Sequence, residues 1–404
     1  MPGAPLDVQL LGRVLVGDAR LDDAAVQPQQ HQDAKEIRRL ARAEDNIKVL
    51  TLCGGSTMRP QIESLAYGAH IVVGTPGRIM DHLERGTLDL RHLNTLVLDE
   101  ADRMLDMGFH DSIVYVARQC PKDRQTMLFS ATYPDTIAKL SAQFLRQPKE
   151  VKVAATHEAS KIRQRWYQVD RDTRLDAVVK LLLHYRPAST IAFCNTKQQC
   201  RDLVDVLTAH GIEAIALHGD LEQRDRDQVL AMFANRSTSV LVATDVAARG
   251  LDIDALDMVL NVELARDSEL HIHRVGRTGR AGEKGVAISL VAPSEAHRAQ
   301  AIEQLQKAPL NWETLDTLKS QGGAPLLPAM STLVIGAGRK DKVRPGDILG
   351  ALTGDAGIPG AQVGKIAIFD FQAYVAVDRT IAKQAAQRLS EGKIKGRVLR
   401  VRVL

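Results

Sequence analysis

The sequence predicts an α/β protein in which two parallel-sheet domains precede a small βαββαβ domain. Three observations support this. Short apolar, β-branched runs alternate with helical segments through residues 34–293, as expected of sheets covered on both faces. The alternation breaks once, near KVAATHEAS at residues 152–160, which divides the run into two blocks. After a connector carrying Gly322, Gly323, Pro325 and Pro328, the order becomes strand, helix, strand, strand, helix, strand.

Taken in order, residues 1–33 show no clear period, include the polar run Gln27-Pro28-Gln29-Gln30-His31-Gln32, and are left unassigned. A first domain spans 34–150. In it EIRRLARAEDN reads as an amphipathic helix, and IKVLTLC, AHIVVGTP, NTLVLDE and QTMLFSAT read as strands. A second domain spans 163–293, with strands at STIAFCN, IEAIALHG, TSVLVATD, LDMVLNVE and GVAISLVA. The tail, 331–404, places strands at TLVIGAG, KIAIF, AYVAV and RVLRVRV. Helices are expected at RPGDILGALTG and TIAKQAAQRLSEG. That order is the plan of a small RNA-recognition fold.

Composition bounds the function. With 45% apolar and 25% charged residues the chain is that of a soluble globular protein. No stretch approaches the roughly eighteen apolar residues a membrane span needs. The first twenty residues lack a basic region followed by a long apolar run, so no secretory signal is expected. Cys53, Cys120, Cys194 and Cys200 form no CxxC pair and read as reduced, buried thiols, which places the chain in the cytoplasm. The net charge of +4 is unevenly spread. Residues 331–404 hold thirteen Lys/Arg against six Asp/Glu, a balance of +7, leaving −3 for the rest. A basic tail on a near-neutral body suggests a polyanion held at one end, though charge alone fits a solubilising face equally well.

The chemistry starts at LVLDEAD, a hydrophobic strand ending in three carboxylates, Asp99, Glu100 and Asp102. In open α/β sheets ligands bind beyond the carboxyl ends of strands, where an Asp can hold magnesium and a Glu can orient water. Alone, the tetrapeptide would also fit an acidic helix start. It is accompanied by Gly54-Gly55 and Thr75-Pro76-Gly77-Arg78 upstream, and by Ser130-Ala131-Thr132 and Ala192-Phe193-Cys194-Asn195 downstream. His218-Gly219-Asp220 follows with Gln223 and Arg226. Then come Ala243-Thr244-Asp245-Val246-Ala247-Ala248-Arg249-Gly250-Leu251-Asp252-Ile253 and His273-Arg274-Val275-Gly276-Arg277-Thr278-Gly279-Arg280.

This ordered set, running from Gly54 to Arg280, resembles the DEAD-box RNA helicases. The resemblance implies RecA-like folds for both sheet domains, with ATP and magnesium as cofactors and ATP-dependent opening of short RNA duplexes. It assigns Asp99 and Glu100 to magnesium and the attacking water. Ser130 and Thr132 would link the ATP and RNA sites, and Asp102 and His273 would belong to the coupling network. It places Asp245 near the phosphates, Gly250 and Asp252 at the nucleotide, and Arg277 and Arg280 as arginine fingers. It assigns RNA contact to Gly54, Gly55, Thr75, Pro76, Gly77, Arg78, Asn195, Gly219, Gln223, Arg226 and Thr244. A turn such as Thr75–Arg78 suits phosphate oxygens rather than bases. Other Cys and His residues lack ligand spacing, so no further metal is expected. A DNA-directed helicase of the same superfamily is the weaker reading, because the DEAD box and the tail both point to RNA.

The tail resembles the C-terminal domain of the DbpA-type subgroup, which implies a hairpin of large-subunit ribosomal RNA and pre-ribosomal particles as partners. Lys340, Lys342, Arg344, Lys393, Lys395 and Arg397 are the contact candidates, because they cluster at element ends. The first tail strand has no aromatic for base stacking, and Tyr374 is the candidate in the third. Shape and phosphate contact are therefore expected to dominate. No membrane contact is expected, and the chain is expected to be a monomer.

One family part is missing. Cradling ATP phosphates needs a Gly-Lys-Ser/Thr at a helix start. Gly364-Lys365 and Gly392-Lys393 are both followed by Ile, and both lie in the tail. Residues 1–33 do not resemble what the family carries there, a pattern that a frameshift or alternative start produces. The first domain is thus expected to be incomplete, without its opening strand and helix. Two functions follow from this sequence: an ATP-dependent RNA helicase, or an RNA-binding chain without turnover.

Overall fold

A computed structural model describes residues 10–14, 34, 36–44, 46–54, 57–106, 108–130, 135–151, 162–248, 256–279, 285–318 and 325–404. The chain divides into two compact units, parting near residue 154.

The first unit is built on an all-parallel sheet ordered β2-β3-β1-β4-β5. Its strands are β1 (Leu10–Val14), β2 (Val49–Leu52), β3 (Ile71–Gly74), β4 (Leu93–Leu98) and β5 (Gln125–Leu128). Its helices are α1 (Met58–Leu65), α2 (Pro76–Glu84), α3 (Ala101–Asp106), α4 (His110–Gln119) and α5 (Asp135–Phe144). Alternation along β3 sends Val72 into the larger core with Leu96, Ile113 and Ile137, while Val73 joins Ala34 and Val49 on the other face. The expected strands β2 to β5 are present. One expectation is corrected: residues 10–14, left unassigned from sequence, form a strand between β3 and β4 rather than leaving that place empty. A five-residue run is too short for periodicity to declare itself.

The second unit holds a seven-stranded parallel sheet ordered β12-β6-β11-β10-β7-β9-β8. Its strands are β6 (Ile162–Gln168), β7 (Thr190–Phe193), β8 (Ala214–Leu217), β9 (Val240–Ala243), β10 (Met258–Asn261), β11 (Gly285–Val291) and β12 (Trp312–Glu313). The helices are α6 (Arg174–Tyr185), α7 (Lys197–Ala209), α8 (Gln223–Ala234), α9 (Asp245–Ala248), α10 (Ser268–Val275) and α11 (Ala296–Gln306). Strand β6, IRQRWYQ, was not expected, because polar residues interrupt every apolar run. Its Trp166 and Tyr167 are nevertheless buried. The domain also runs past the expected limit at 293, since β12 adds to β6. The Glu313 carboxylate accepts from Arg165 Nη1 at 2.5 Å and from the Tyr167 hydroxyl at 2.6 Å. Inside, the His271 ring stacks on Trp166 with centroids 5.1 Å apart, and burial pushes its pKa down to about 3.

The same unit carries the tail domain, an antiparallel sheet ordered β14-β15-β13-β16. Its strands are β13 (Met330–Ile335), β14 (Val363–Ile368), β15 (Ala373–Asp378) and β16 (Val401–Val403), with helices α12 (Pro345–Thr353) and α13 (Ala382–Glu391). The βαββαβ expectation holds. Leu333, Ile335, Val375 and Val377 face the two helices. The opposite face, carrying Val334 and Tyr374, packs on Ala231 of α8. Polar contacts, buried at Asn235, Ser237 and Thr332, close this seam. Asn235 Nδ2 donates to Thr332 Oγ1 at 2.8 Å, the Ser237 and Thr332 hydroxyls lie 2.5 Å apart, and Arg379 pairs with Glu213 at 2.6 Å.

All four cysteines are buried, as expected. Among the described residues no helix is long and apolar enough to cross a membrane.

Candidate nucleotide and RNA site

In the first unit β4 delivers Asp99 and Glu100 to the carboxyl edge of the sheet. Leu98 accepts from Phe129 N–H at 2.8 Å, and Phe129 accepts from Ala101 N–H at 3.0 Å, which fixes the acidic turn beside Ser130. Asp99 Oδ1 accepts from the Glu100 N–H at 3.0 Å. Glu100 holds a left-handed backbone, φ 54°, where the chain turns from strand into α3. Asp102, in the first turn of α3, is buried. Thr75 caps α2, its hydroxyl accepting from Arg78 N–H at 3.4 Å, with Pro76 at the first helical position. The Arg78 side chain is 11% exposed, and its Nη1 donates to Gln61 Oε1 at 2.9 Å. Gln61 Oε1 also lies 3.0 Å from His82 Nε2. Burial first, and then Arg78, lower the His82 pKa. Gly54 is buried at the end of β2, and Gly77 lies in the first turn of α2. Gly55 and Thr132 lie outside the described residues.

The second unit shows a residue the sequence reading passed over. Arg274 is 2% exposed, and its Nε and Nη2 meet the two Asp245 carboxylate oxygens at 2.6 and 2.7 Å. Its Nη1 donates to the Glu263 carbonyl at 2.7 Å, its Nη2 to Asn195 Oδ1 at 3.1 Å, and its guanidinium lies 4.9 Å from the centre of the Phe193 ring. Asn195 is tied further, its Nδ2 donating to Leu264 O at 3.1 Å and its N–H to Glu263 Oε2 at 2.9 Å. Asp245 and Asn195, assigned to ATP and RNA respectively, are thus both held by one buried arginine. Only its position inside His273–Arg280 hinted at it.

Arg226, assigned to RNA contact, is held inside the second unit. It is 1% exposed and donates Nη2 to Ala247 O at 2.7 Å, tethering α8 to α9. Thr244 N–H donates to Leu217 O at 3.3 Å, at the carboxyl edge of the sheet. Gly219 is exposed beside Asp220, whose carboxyl is held low by Lys197 first and also by Arg201. Gln223 opens α8. His273 and Arg277 are half-buried at and beyond the end of α10. Gly250, Asp252 and Arg280 lie outside the described residues.

In the tail, Tyr374 is also corrected. At 1% exposure it is covered by α8, with its hydroxyl donating to Gln372 Oε1 at 2.9 Å and its ring edge-on to Phe369 at 5.5 Å. The cations instead gather on a loop edge. Lys340, Lys342, Arg344, Lys393, Lys395 and Arg397 are all exposed. Lys395 Nζ donates to Lys342 O at 2.5 Å and lies 3.8 Å from Asp347, while Arg397 pairs with Asp341 at 3.4 Å. These contacts join residues 339–344 and 393–397 into one basic surface.

Among the described residues no group of three or more His, Cys, Asp or Glu is arranged to hold a metal. Asp99 and Glu100 fit the carboxylate side of a magnesium site. For the phosphate side, the chain has no Gly-Lys-Ser/Thr. The residues present fit half of a magnesium–nucleotide site.

Comparison with known proteins agrees with this layout. Residues 26–140 match the DEAD/DEAH box helicase family, 173–282 the helicase conserved C-terminal domain, and 332–403 the DbpA RNA binding domain. The chain is 52% identical to the ATP-dependent RNA helicase DbpA of Escherichia coli (strain K12), covering 92% of this chain and 81% of that protein. It is 39% identical to the DEAD-box ATP-dependent RNA helicase CshA of Geobacillus kaustophilus (strain HTA426), covering 75% of this chain and 66% of that protein. A structure of S. cerevisiae Dbp5 bound to RNA and ADP BeF3 superposes with a TM-score of 0.65 at 29% identity, covering 78% of this chain and 80% of the other.

Proposed function

We propose, for a chain that belongs to the DEAD-box family of ATP-dependent RNA helicases, that its RNA is a hairpin of large-subunit ribosomal RNA met during ribosome assembly. We propose further that residues 1–404 hold this RNA without turning over ATP. The observation that carries the first part is the joined basic edge of the tail. Its sheet face is covered by α8, so RNA is met by loops 339–344 and 393–397, through phosphates and shape. The second part rests on the missing phosphate loop. Amides at a helix start and one lysine normally hold the β- and γ-phosphates, and residues 1–404 contain no Gly-Lys-Ser/Thr.

The test of the RNA reading is charge reversal at Lys395 and Arg397 in the full chain, with binding to an rRNA hairpin measured across salt concentrations. Each lost phosphate contact lowers the slope of log affinity against log salt by roughly 0.7–0.9, so the double variant is expected to lose roughly 1.5 in slope and much of its affinity. Unchanged affinity and slope would move the RNA site elsewhere.

A further inference from the structure

We infer that Phe371 is a base-stacking platform for an unpaired nucleotide of the bound RNA, a site that rests on the RNA-binding reading of the tail above. The chain is poor in aromatics, at 4%, and among the described residues the exposed ones are Tyr67, Phe129, Trp312 and Phe371. Phe371 is 65% exposed at the turn between β14 and β15.

This exposure belongs to a held turn. Phe369 N–H donates to Gln372 O at 2.8 Å, closing the turn. Arg339 N–H donates to Phe369 O at 2.7 Å and Lys340 N–H to Asp370 O at 2.9 Å, fastening both sides to the 339–341 segment. The Arg339 guanidinium pairs with Asp370 at 2.9 Å. Gly338 makes the close approach possible, because a Cβ there would collide with the Phe369 carbonyl oxygen. On the far side Gln372 is held by the Tyr374 hydroxyl at 2.9 Å and by Arg224 of α8 at 3.2 Å. The backbone that carries the ring is therefore held before any ligand arrives, which lowers the entropy lost on binding.

Its surroundings suit a nucleotide. Lys340 Nζ lies 4.2 Å from the ring centroid, and Lys342 and Lys395 continue the positive edge beyond it. A cation beside an exposed aromatic pairs a phosphate contact with a π-face, the combination that binds single-stranded nucleotides without demanding one base. A hairpin loop supplies such a base, whereas the interior of a duplex keeps its bases stacked on one another.

The experiment uses the full chain and two RNAs of equal length: a hairpin carrying 2-aminopurine in its loop, and a blunt duplex. Phe371→Ala is expected to weaken hairpin binding about tenfold, within the range for loss of one stacked base, and to leave duplex binding unchanged. Phe371→Trp should restore hairpin affinity. Binding should quench 2-aminopurine with the natural chain and with Phe371→Trp, but not with Phe371→Ala. Tail-domain melting should not differ between the variants, because the ring adds nothing to the core. Equal hairpin affinity for the natural chain and Phe371→Ala, with the Lys395→Glu, Arg397→Glu variant still weakened, overturns the platform and leaves the RNA reading intact. No hairpin binding by the natural chain removes the RNA reading itself, and the platform with it.

Discussion

Replacing Arg274 by alanine is expected to lower the stability of the second domain by about 3–5 kcal/mol, the range for breaking a buried pair by removing one partner. The large effect comes from what remains. Asp245 loses both of its closest charge-assisted bonds, and Asn195 and the Glu263 carbonyl lose a donor in a partly buried setting. The two tryptophans of the chain, Trp166 and Trp312, both lie in this domain, so urea unfolding followed by their fluorescence reports it alone. Removing the stranded carboxylate as well, in Arg274→Ala with Asp245→Ala, should recover part of the loss, because the two residues are directly bonded. A single-variant change below about 1 kcal/mol would mean the pair contributes no more than an exposed one.

Tyr374→Ala is expected to destabilise the tail and its seam with α8 by about 3–5 kcal/mol, as for other large buried aromatics. Hairpin affinity, measured at a temperature where the tail stays folded, should fall by less than the tenfold expected of Phe371→Ala, since the ring faces Ala231 and Phe369 rather than solvent and reaches the Phe371 turn only through Gln372. Tyr374→Phe removes only the bond to Gln372 and should cost about 1 kcal/mol. A tenfold affinity loss in a folded Tyr374→Ala protein would restore the tyrosine to the RNA surface.

These two residues mark where sequence stops informing. The strand ends bearing Asp99 and Glu100, the capped turn at Thr75, and the βαββαβ tail follow from local patterns, and the structure has them in place. Tyr374 was misread because its register is correct. It does stand on the face opposite Val375 and Val377, where an aromatic ordinarily meets a base. The deciding partner is Ala231, far away in the chain, and no local period announces it. Arg226 carries the same lesson. An arginine in a nucleic-acid motif reads as a surface ligand until burial shows it bonded to a carbonyl inside its own domain. Phe371 was missed for the converse reason. Its exposure depends on Gly338 admitting a turn that is distant in sequence.

The most direct test of the account combines hairpin binding and ATP hydrolysis on the same purified chain, with Glu100→Gln as the control. Hairpin binding without RNA-stimulated turnover above that control is the predicted result. RNA-stimulated turnover that Glu100→Gln abolishes would contradict it, and would mean that a segment of this chain holds the phosphates without a Gly-Lys-Ser/Thr.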